Sequence, residues 1–397
     1  MQRCIKCNSV DGVIKSGFLR GKQRFFCKLC DFYFILENEN TRLPQKTNQT
    51  TILDVAKHLG IAASTVSRAL NGKSDISPFT RKAVQQAAID LDYKPNLLAQ
   101  SLNKGKTNTI GVVIPNVELP FFATALASMQ QVAINTGYRI MVCHSSECEA
   151  IEKLNIETLI SCRVDGLLVS HSKETTSFEH IKRVIAKNIP IVHFDRVCNE
   201  ITTPKVIHED FKGSFELVEH LILQGCKKIG VMLGPEKFYI SQIRLEGYKA
   251  ALQKYNIPII EEYIYYSDMN KYDGAKAFEY FINLPAPPDG VFSILSRNAI
   301  EMMVEAKKRH IKIPEEMAFV GFGDDTLCEL FEPSLTVFNH FPSKVGEAAI
   351  NLLIENIKNK NSLIPAVLSI QGELIIRDSS RVKTGVNSWS VGQKFTE

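Results

Sequence analysis

The segment Thr51–Gly72, TILDVAKHLGIAASTVSRALNG, constrains the fold more than any other part of the chain. Its apolar residues recur at helical spacing on both sides of Gly60, which predicts two short amphipathic helices joined by a glycine turn. Two-helix units of this kind are used for plain packing as well as for reading DNA. The predicted inner stripes are Ile52, Val55, Ala56 and Leu59 in the first helix and Val66, Ala69 and Leu70 in the second.

The outward positions of the second helix favour DNA reading over plain packing. They carry small, hydroxyl or cationic side chains, which fit a major groove and bond base edges or phosphates. A helix that only packed would not need this composition. These outward residues are Ala63, Ser64, Thr65, Ser67 and Arg68.

The segment resembles the headpiece of lactose-repressor family transcription regulators, whose pattern is T-x-x-D-V-A, a glycine turn and T-V-S-R-x-L-N-G. The likeness continues through Ile76–Leu102, which is similar to the third helix, the Y-x-P-N corner and the hinge of that family, and reaches about Arg377. It implies a transcriptional regulator that binds a palindromic operator as a homodimer, and not an enzyme. The implied DNA-binding residues are Thr51, Ala63, Ser64, Thr65, Ser67, Arg68, Asn71, Asn96, Ala99 and Leu102.

Two positions of this resemblance carry specific expectations. Leu102 matches the hinge leucine that inserts into the minor groove. The insertion costs free energy to unstack two bases, and it bends the duplex so that more of the DNA contacts the protein. Ala62 stands where the family usually has serine, and losing that helix N-cap costs roughly 1 kcal/mol unless another group replaces it.

The charge distribution assigns nucleic-acid contact to the amino-terminal part of the chain. Residues 1–107 hold 17 Lys and Arg against 8 Asp and Glu, whereas the remainder holds 30 against 35. A basic end of this kind is typical of nucleic-acid binding. The start, MQRCIKCNSV, lacks the apolar region of a signal peptide, and no stretch is long enough for a membrane span, so we expect a cytoplasmic protein.

Four of the ten cysteines predict a structural zinc site. They form two C-x2-C pairs separated by nineteen residues, a spacing that supplies four thiolates to one tetrahedral ion. Disulfides are the alternative, which a cytoplasmic chain disfavours. The other six cysteines are scattered and are expected to be reduced core residues. The predicted zinc ligands are Cys4, Cys7, Cys27 and Cys30.

The segment around these cysteines is similar to the amino-terminal zinc ribbon of insertion-sequence transposases, in the run GKQRFFCKLC and the aromatic residues after it. About 35 residues bury too little surface to fold unaided, so the metal would supply the missing stability. A basic cluster in this ribbon is suited to phosphates, although many zinc ribbons bind proteins instead. The cluster consists of Arg20, Lys22, Arg24 and Lys28.

From Asn108 onward, short apolar strands alternate with helical segments, which predicts parallel sheets covered by helices on both faces. The resemblance specifies two lobes, as in a periplasmic sugar-binding protein, with an effector in the cleft between them. It places crossovers near Val197, near Asn339 and after Ile364. The predicted strands are TIGVVIP, YRIMVCHS, VDGLLVS, IPIVHFD, KIGVML, GVFSIL and MAFVGFG.

The chain is therefore expected to be a multidomain protein with a zinc ribbon, an all-α helix-turn-helix headpiece and an α/β two-lobed core. The length of 397 residues suffices for two or three domains. The tail carries no heptad pattern, which favours a dimer over a higher oligomer. The expected divisions are ribbon 1–36, polar linker 37–50, headpiece 51–95, hinge helix 96–107, effector-binding and dimerisation core 108–380 and tail 381–397.

Effector-binding residues are assigned by their matched positions in the family. The chain has Ser296 and Arg297 where sugar-binding members carry Asn-Asp, and Gly323 where they carry Asp. An arginine in this place favours an anionic sugar acid or sugar phosphate, but it is also compatible with a core that has lost small-molecule sensing. The assigned residues are Phe121, Phe122, Asp195, Arg244, Ser296 and Arg297.

Two other function classes are less compatible with the sequence. A solute-binding protein shares the core fold but lacks a headpiece such as Thr51–Gly72. A nucleic-acid enzyme requires acidic residues that hold Mg²⁺, and the adjacent Asp324 and Asp325 are the candidates for such ligands. We expect no enzyme, because no G-x-S-x-G elbow or phosphate-binding loop occurs either.

Overall fold

The computed structural model describes residues 3–4, 6–19, 22–35, 50–94, 106–197, 200–236, 238–359 and 366–381. The chain divides into two compact units, Met1–Leu97 and Leu98–Glu397. The predicted hinge lies almost entirely outside the described residues, as does the predicted tail after residue 381.

The first unit begins with a small antiparallel sheet. Its strands are β1 Val13–Leu19, β2 Lys22–Cys27 and β3 Phe32–Ile35, in the order β1-β2-β3. The buried apolar residues of this sheet are Phe25 and Phe34, together with Cys4 and Cys27. This agrees with the predicted small ribbon of strands, and two aromatic rings form a core too small to stabilise a domain alone.

Three helices follow in the same unit: α1 Ile52–Leu59, α2 Ala63–Leu70 and α3 Pro78–Asp90. Gly60 ends α1 with φ of 65°, a left-handed conformation that residues with a Cβ rarely adopt. Ser77 caps α3 by accepting a hydrogen bond from the backbone N–H of Thr80 at 3.1 Å. The predicted inner stripe is confirmed, because the helices bury Val55, Ala56, Val66, Ala69, Val84 and Ala87 against one another.

The second unit consists of two α/β lobes, each built on a six-stranded sheet. The first sheet has the order β14-β8-β7-β6-β4-β5 and the second the order β10-β9-β11-β12-β13-β15. The strands are β4 Thr109–Ile114, β5 Arg139–His144, β6 Gly166–Val169, β7 Ile191–Phe194, β8 Lys205–His208, β9 Ile229–Leu233, β10 Ile264–Tyr266, β11 Gly290–Ser293, β12 Ala318–Phe322, β13 Thr336–Asn339, β14 Val367–Ile370 and β15 Glu373–Ile375.

Helices of the second unit alternate with these strands and cover both sheets. The strand pairs are parallel, as predicted, apart from β13 with β15, which is antiparallel. The helices are α4 Pro120–Thr136, α5 Glu149–Ser161, α6 Glu179–Ala186, α7 Asp210–Leu223, α8 Tyr239–Lys254, α9 Asp273–Ile282, α10 Ser296–Lys308, α11 Thr326–Leu330 and α12 Pro342–Lys358.

The chain crosses between the lobes three times. The predicted crossing near Val197 is wrong, because β8 still belongs to the first sheet and the crossing comes after His208. The crossing near Asn339 is confirmed, since β13 is in the second sheet and α12 packs in the core of the first lobe. The last crossing lies between β14 and β15, after Ile364 as expected.

Each lobe has its own apolar core, and both cores come from the runs predicted as strands and from the inner faces of the helices. The first lobe buries Phe122 and Phe194 among aliphatic residues. The second buries Phe292, Phe322 and Phe338. Within the described residues, no helix combines the length and apolar character needed to cross a lipid bilayer.

Candidate functional site

The outward face of α2 carries the side chains predicted to read DNA. Ser64 and Arg68 are exposed, whereas Ala63, Thr65 and Ser67 are half-buried at the edges of the helix contact. The inward Val66 and Ala69 are buried, so the register of the helix is set by packing and the reading face cannot rotate inward.

Arg68 forms an ion pair with Asp75, which lies in the turn after α2. Both side chains are roughly half exposed, so the pair contributes little stability and is easily broken. Asn71 donates its side-chain amide to the backbone oxygen of Ser67 at 2.8 Å, which closes the last turn of α2. The arginine is thus held at the exposed face of the helix by a carboxylate that another partner could replace.

The two helix starts of the headpiece differ in capping. Thr51 begins α1 and donates its backbone N–H to a carboxylate oxygen of Asp54 at 2.9 Å. Ala62 begins α2 without a side-chain cap, as the sequence predicted. The missing cap leaves the first N–H groups of α2 open at the end that carries Ser64. Asn96, Ala99 and Leu102 lie outside the described residues.

The four paired cysteines converge on one point. Their sulfur atoms all lie within 4.8 Å of one another, with Cys4 Sγ 3.5 Å from Cys30 Sγ and Cys7 Sγ 3.6 Å from Cys27 Sγ. Disulfide sulfurs are about 2.05 Å apart, whereas four thiolates around zinc at about 2.3 Å are about 3.8 Å apart. The cysteines fit zinc coordination and not disulfides.

The scattered cysteines only partly match the prediction that they are core residues. All those described are free thiols. Cys328 is buried, but Cys162 is exposed on the turn that ends α5, so the core assignment is wrong there. Cys198 lies outside the described residues.

A cleft opens between the lobes where the carboxyl ends of the strands meet. It holds about 740 Å³ of space between atoms, part of it open to solvent. All six residues predicted to bind the effector line it, namely Phe121, Phe122, Asp195, Arg244, Ser296 and Arg297. The sequence reasoning missed other lining residues, among them Arg196, Phe238, Met269, Phe322 and His340.

A series of charges runs through the floor of this cleft from one lobe to the other. Asp195 lies 2.9 Å from His208 Nε2, and the Nδ1 of the same ring lies 3.2 Å from Asp210. Asp210 in turn accepts from Arg244 Nε at 2.8 Å. Asp195 and His208 follow strands of the first lobe, whereas Asp210 and Arg244 lie on helices of the second.

Protonation states in this charge series follow from burial and neighbouring charge. Burial opposes the charged form of His208, but the charges of Asp210 and Asp195 outweigh it and raise its pKa to about 9. Burial likewise opposes ionisation of Asp210, yet the charges of His208 and Arg244 hold its pKa well below the ordinary value. At neutral pH the floor of the cleft therefore holds alternating, fully paired charges.

Arg244 already has protein acceptors. It is buried, bonds Asp210, and donates from a terminal nitrogen to the backbone oxygen of Ile294. Its guanidinium also lies 3.5 Å from the ring centroid of Phe322. Arg244 therefore finds its acceptors within the protein, although the side chain still lines the cleft.

The two aromatic residues at the start of α4 differ in position. Phe121 is half-buried and stacks on His340, with ring centroids 5.0 Å apart and planes 12° apart. Phe122 is buried and packs edge-on against Phe194 in the core of the first lobe. Burial and the positive charge of His208 hold the pKa of His340 well below its ordinary value, so this ring is neutral and presents an aromatic surface.

Arg297 differs from the other cations of the cleft. Among the described residues it has no carboxylate within ion-pair distance, and its Nε is buried without a partner. One terminal nitrogen donates to the backbone oxygen of Met269 at 3.3 Å. By contrast, Arg196 is paired with Glu147 at 2.6 Å.

Asp324 and Asp325, the neighbours considered as metal ligands of an enzyme, have other roles. Asp324 forms an ion pair with Arg377 at 3.0 Å. Asp325 caps α11 by accepting from the backbone N–H groups of Leu327 and Cys328. Both carboxylates are engaged within the protein. Beside them, Gly323 has φ of 95°, and a Cβ there would lie 3.3 Å from His340.

Three of the missed cleft residues share a signal in the sequence. Phe322 is the last residue of β12, His340 comes directly after β13, and Arg196 is the second residue after β7. Residues at the carboxyl ends of parallel strands meet at the same edge of a sheet, which is where such folds bind ligands. This rule identifies Arg196, Phe322 and His340, but not Phe238 and Met269, which lie in loops several residues after β9 and β10.

Two family models match the chain. The model for bacterial regulatory proteins of the lacI family matches residues 51–96, and that for a periplasmic binding protein-like domain matches residues 218–380. Neither matched range includes the four paired cysteines.

Curated relatives match nearly their whole length. The HTH-type transcriptional repressor PurR of Actinobacillus pleuropneumoniae serotype 3 (strain JL03) is 30% identical over 333 residues, which are 83% of this chain and 98% of the relative. The ribose operon repressor of Halalkalibacterium halodurans is 31% identical over 339 residues, which are 85% of this chain and 99% of the relative.

Solved structures match across the headpiece and the core. The transcriptional regulator CelR in complex with cellobiose has a TM-score of 0.63 and 25% identity, covering 83% of this chain and all of that one. The Lac repressor dimer bound to operator and the anti-inducer ONPF has a TM-score of 0.75 and 22% identity, covering 84% of this chain and all of that one.

Proposed function

The chain belongs to the LacI family of bacterial regulatory proteins, and from this premise we propose that it is a cytoplasmic, homodimeric repressor whose operator affinity is controlled by an anionic carbohydrate-like effector. Members of this family are DNA-binding transcriptional regulators and not enzymes. Family membership does not define the operator, the effector, or whether effector binding weakens or strengthens DNA binding, so these three parts are proposed here.

The main support for base recognition is the exposed face of α2. Ser64 and Arg68 point outward there, whereas Val66 and Ala69 are buried on the opposite face. In a symmetric dimer, two such helices would enter successive major grooves of a near-palindromic site. The Asp75 carboxylate holds Arg68 in the free protein, and a guanine edge or a phosphate would replace it in the complex.

Genome-wide mapping of bound sites, followed by binding titrations on the sites found, tests this assignment. Arg68→Ala should weaken the mapped site far more than random duplex of equal length. The matched control is Arg309→Ala, which removes a partly exposed arginine from the core and should leave both affinities unchanged. Equal losses on specific and random DNA would contradict base reading by Arg68.

The main support for an anionic effector is the environment of Arg297. The cleft carboxylates are satisfied by His208, by Arg377 and by backbone N–H groups, whereas Arg297 has no carboxylate partner among the described residues. A buried or half-buried guanidinium is best satisfied by a carboxylate or phosphate. The stacked rings of Phe121 and His340 in the same cleft provide an apolar surface on which a sugar ring could stack. The similar structure of CelR is a complex with cellobiose.

Thermal-shift screening of sugar acids and sugar phosphates against the corresponding neutral sugars tests the effector class. Arg297→Met should weaken the charged ligand at least about tenfold and leave its neutral analogue unaffected, which matches the ~1.5–3 kcal/mol of a charged hydrogen bond. Stabilisation by neutral sugars alone would contradict the anionic class. No stabilisation by any compound would favour a core that serves dimerisation and has lost sensing.

We further propose that the four paired cysteines hold one structural Zn²⁺, in a ribbon of the kind found in insertion-sequence transposases. The support is the donor set itself: four thiol sulfurs lie within 4.8 Å of one another beside an antiparallel sheet. Among the described residues, the core of this sheet contains only two buried aromatic rings. A bound zinc would join the loop before β1 to the turn after β2. Such a site supplies folding energy that this core lacks.

A further inference from the structure

A second cluster of metal-ligating side chains lies buried in the first lobe of the core. It consists of Glu152 on α5, His171 after β6 and His180 on α6. The three side chains are almost fully buried. Their ligand atoms all lie within 4.8 Å of one another.

The carboxylate of Glu152 is oriented by its neighbours. Its Oε2 accepts from the backbone N–H of Ser172 at 2.6 Å and from the hydroxyl of Thr175 at 2.9 Å. This leaves Oε1 facing the two rings, 3.0 Å from His171 Nδ1 and 2.9 Å from His180 Nε2. The hydrogen bonds to Oε2 would also hold the carboxylate in place as a metal ligand.

These separations are close to those of a zinc site. Ligand atoms at about 2.0–2.1 Å from a tetrahedral zinc lie about 3.3 Å apart, so small side-chain adjustments would admit the ion between them. Two histidines and one glutamate form a ligand set used for zinc. Softer or harder ions are disfavoured, because the set contains neither a thiolate nor several carboxylates.

Binding a metal would change the hydrogen bonds of both rings. The nitrogens that now meet Glu152 Oε1 would turn to the ion, and each ring would keep its proton on the opposite nitrogen. Within the described residues, those opposite nitrogens, His171 Nε2 and His180 Nδ1, have no hydrogen-bond partner in the protein, so no existing bond has to be broken there.

A third imidazole lies beside the cluster. The ring of His193 is 4.7 Å from that of His171, its Nδ1 is 3.0 Å from the hydroxyl of Thr203, and its Nε2 is buried without a partner among the described residues. His193 is outside the group of mutually close ligand atoms, so it would have to move to complete the coordination. Without that movement, the fourth position belongs to water.

We propose that Glu152, His171 and His180 form a second metal site, which binds Zn²⁺ inside the effector-binding core. The ion would crosslink α5, α6 and the end of β6. It would also stabilise one wall of the cleft, because the backbone N–H of His171 donates to the oxygen of Arg196, a residue that lines the cleft.

Zinc content of the full chain tests this site once the paired cysteines are disabled. The thiol variant carries Cys4→Ser and Cys27→Ser, one from each pair. After dialysis against zinc and then buffer, mass spectrometry should find about two zinc ions in the wild-type chain and about one in the thiol variant. Adding His180→Gln to the thiol variant should remove the remaining ion, whereas adding His144→Gln, an exposed histidine, should not.

Cobalt substitution supplies a readout that does not depend on folding of the histidine variant. Cobalt in the thiol variant should absorb weakly in the visible range without the intense thiolate-to-cobalt charge-transfer band of the wild type. The proposal is overturned if the wild type binds one ion with an all-thiolate spectrum. It is also overturned if the thiol variant binds none, or if its ion survives His180→Gln.

Discussion

The protonated His208 between two carboxylates predicts a specific pH dependence of core stability. Its folded-state pKa of about 9 lies above the ordinary value of 6.5, because Asp210 and Asp195 stabilise the imidazolium despite burial. A group whose pKa is raised on folding contributes stability below its unfolded pKa, and this contribution is lost as the pH rises through the folded pKa. The contribution of His208 is therefore complete below about pH 6.5 and vanishes above about pH 9.

The size of this contribution follows from the shift itself. A rise of the pKa from 6.5 to about 9 corresponds to about 3 kcal/mol, at about 1.36 kcal/mol per unit. For a unit as large as the core, this is roughly 5–10 °C in the midpoint of thermal unfolding. His208→Gln removes the titrating ring but leaves Asp210 paired with Arg244 and Asp195 beside Arg196.

The assay compares the core unfolding midpoint of wild type and His208→Gln at a series of pH values from about 6 to about 10. Taking the difference between the two proteins cancels the titration of lysines and tyrosines that they share. The difference should be largest at the acidic end and should shrink as the pH passes about 9. If the variant also lost packing, its unfolding midpoint would fall by the same amount at every pH, and this loss would not change the pH dependence of the difference.

His220→Gln is the matched control. His220 is also buried, but its Nε2 meets the hydroxyl of Ser380 at 2.8 Å, and burial with the nearby Arg381 lowers its pKa. This ring is neutral above about pH 6.5, so its variant should differ from wild type by a constant amount there. If the His208→Gln difference were equally flat across that range, the assignment of a charged His208 would be refuted.

Three further outcomes follow from the sites. Arg68→Ala should cost about 1–3 kcal/mol at the mapped operator, and Asp75→Asn, which frees Arg68, should retain or increase affinity; titrations on operator and random duplex measure both. Cys27→Ser should abolish the order of the ribbon and leave the core unfolding midpoint unchanged, as hydrogen exchange and thermal melts would show; loss of core stability would contradict independent folding. Arg297→Met should remove the preference for charged over neutral ligands in calorimetry, and an unchanged preference would assign the anion to another residue.

The sequence predicted the strands and helices that are marked by the pattern of their own residues. The seven predicted strands are all present, because each contains a run of mostly apolar residues, and all of them except the edge strand β5 are almost entirely buried. The pattern did not identify β8, β10, β13, β14 or β15, which are only three or four residues long and are held by pairing with distant segments. The first crossover, which the resemblance placed near Val197, comes only after β8.

The cleft residues could be predicted where a position of this chain matches a ligand-binding position of the family. All six assigned effector residues line the cleft. Their partners were not predictable, because an ion pair such as Asp210 with Arg244 joins residues 34 positions apart, and spacing along the chain does not encode it. Glu152 and His171 were missed for the same reason, since neither forms a recognisable motif with its sequence neighbours.

The charge series explains why Arg297 and not Arg244 should select the effector. Asp195, His208, Asp210 and Arg244 neutralise one another where the chain first crosses between the lobes, so a ligand that took one of them would leave a buried charge unpaired. Breaking such a pair costs about 3–5 kcal/mol, more than one new hydrogen bond returns. A negatively charged ligand can instead approach Arg297 without displacing any carboxylate. In the proposed function, the paired charges would act as a fixed link between the lobes, and Arg297 would supply the contact that differs between the empty and the occupied cleft.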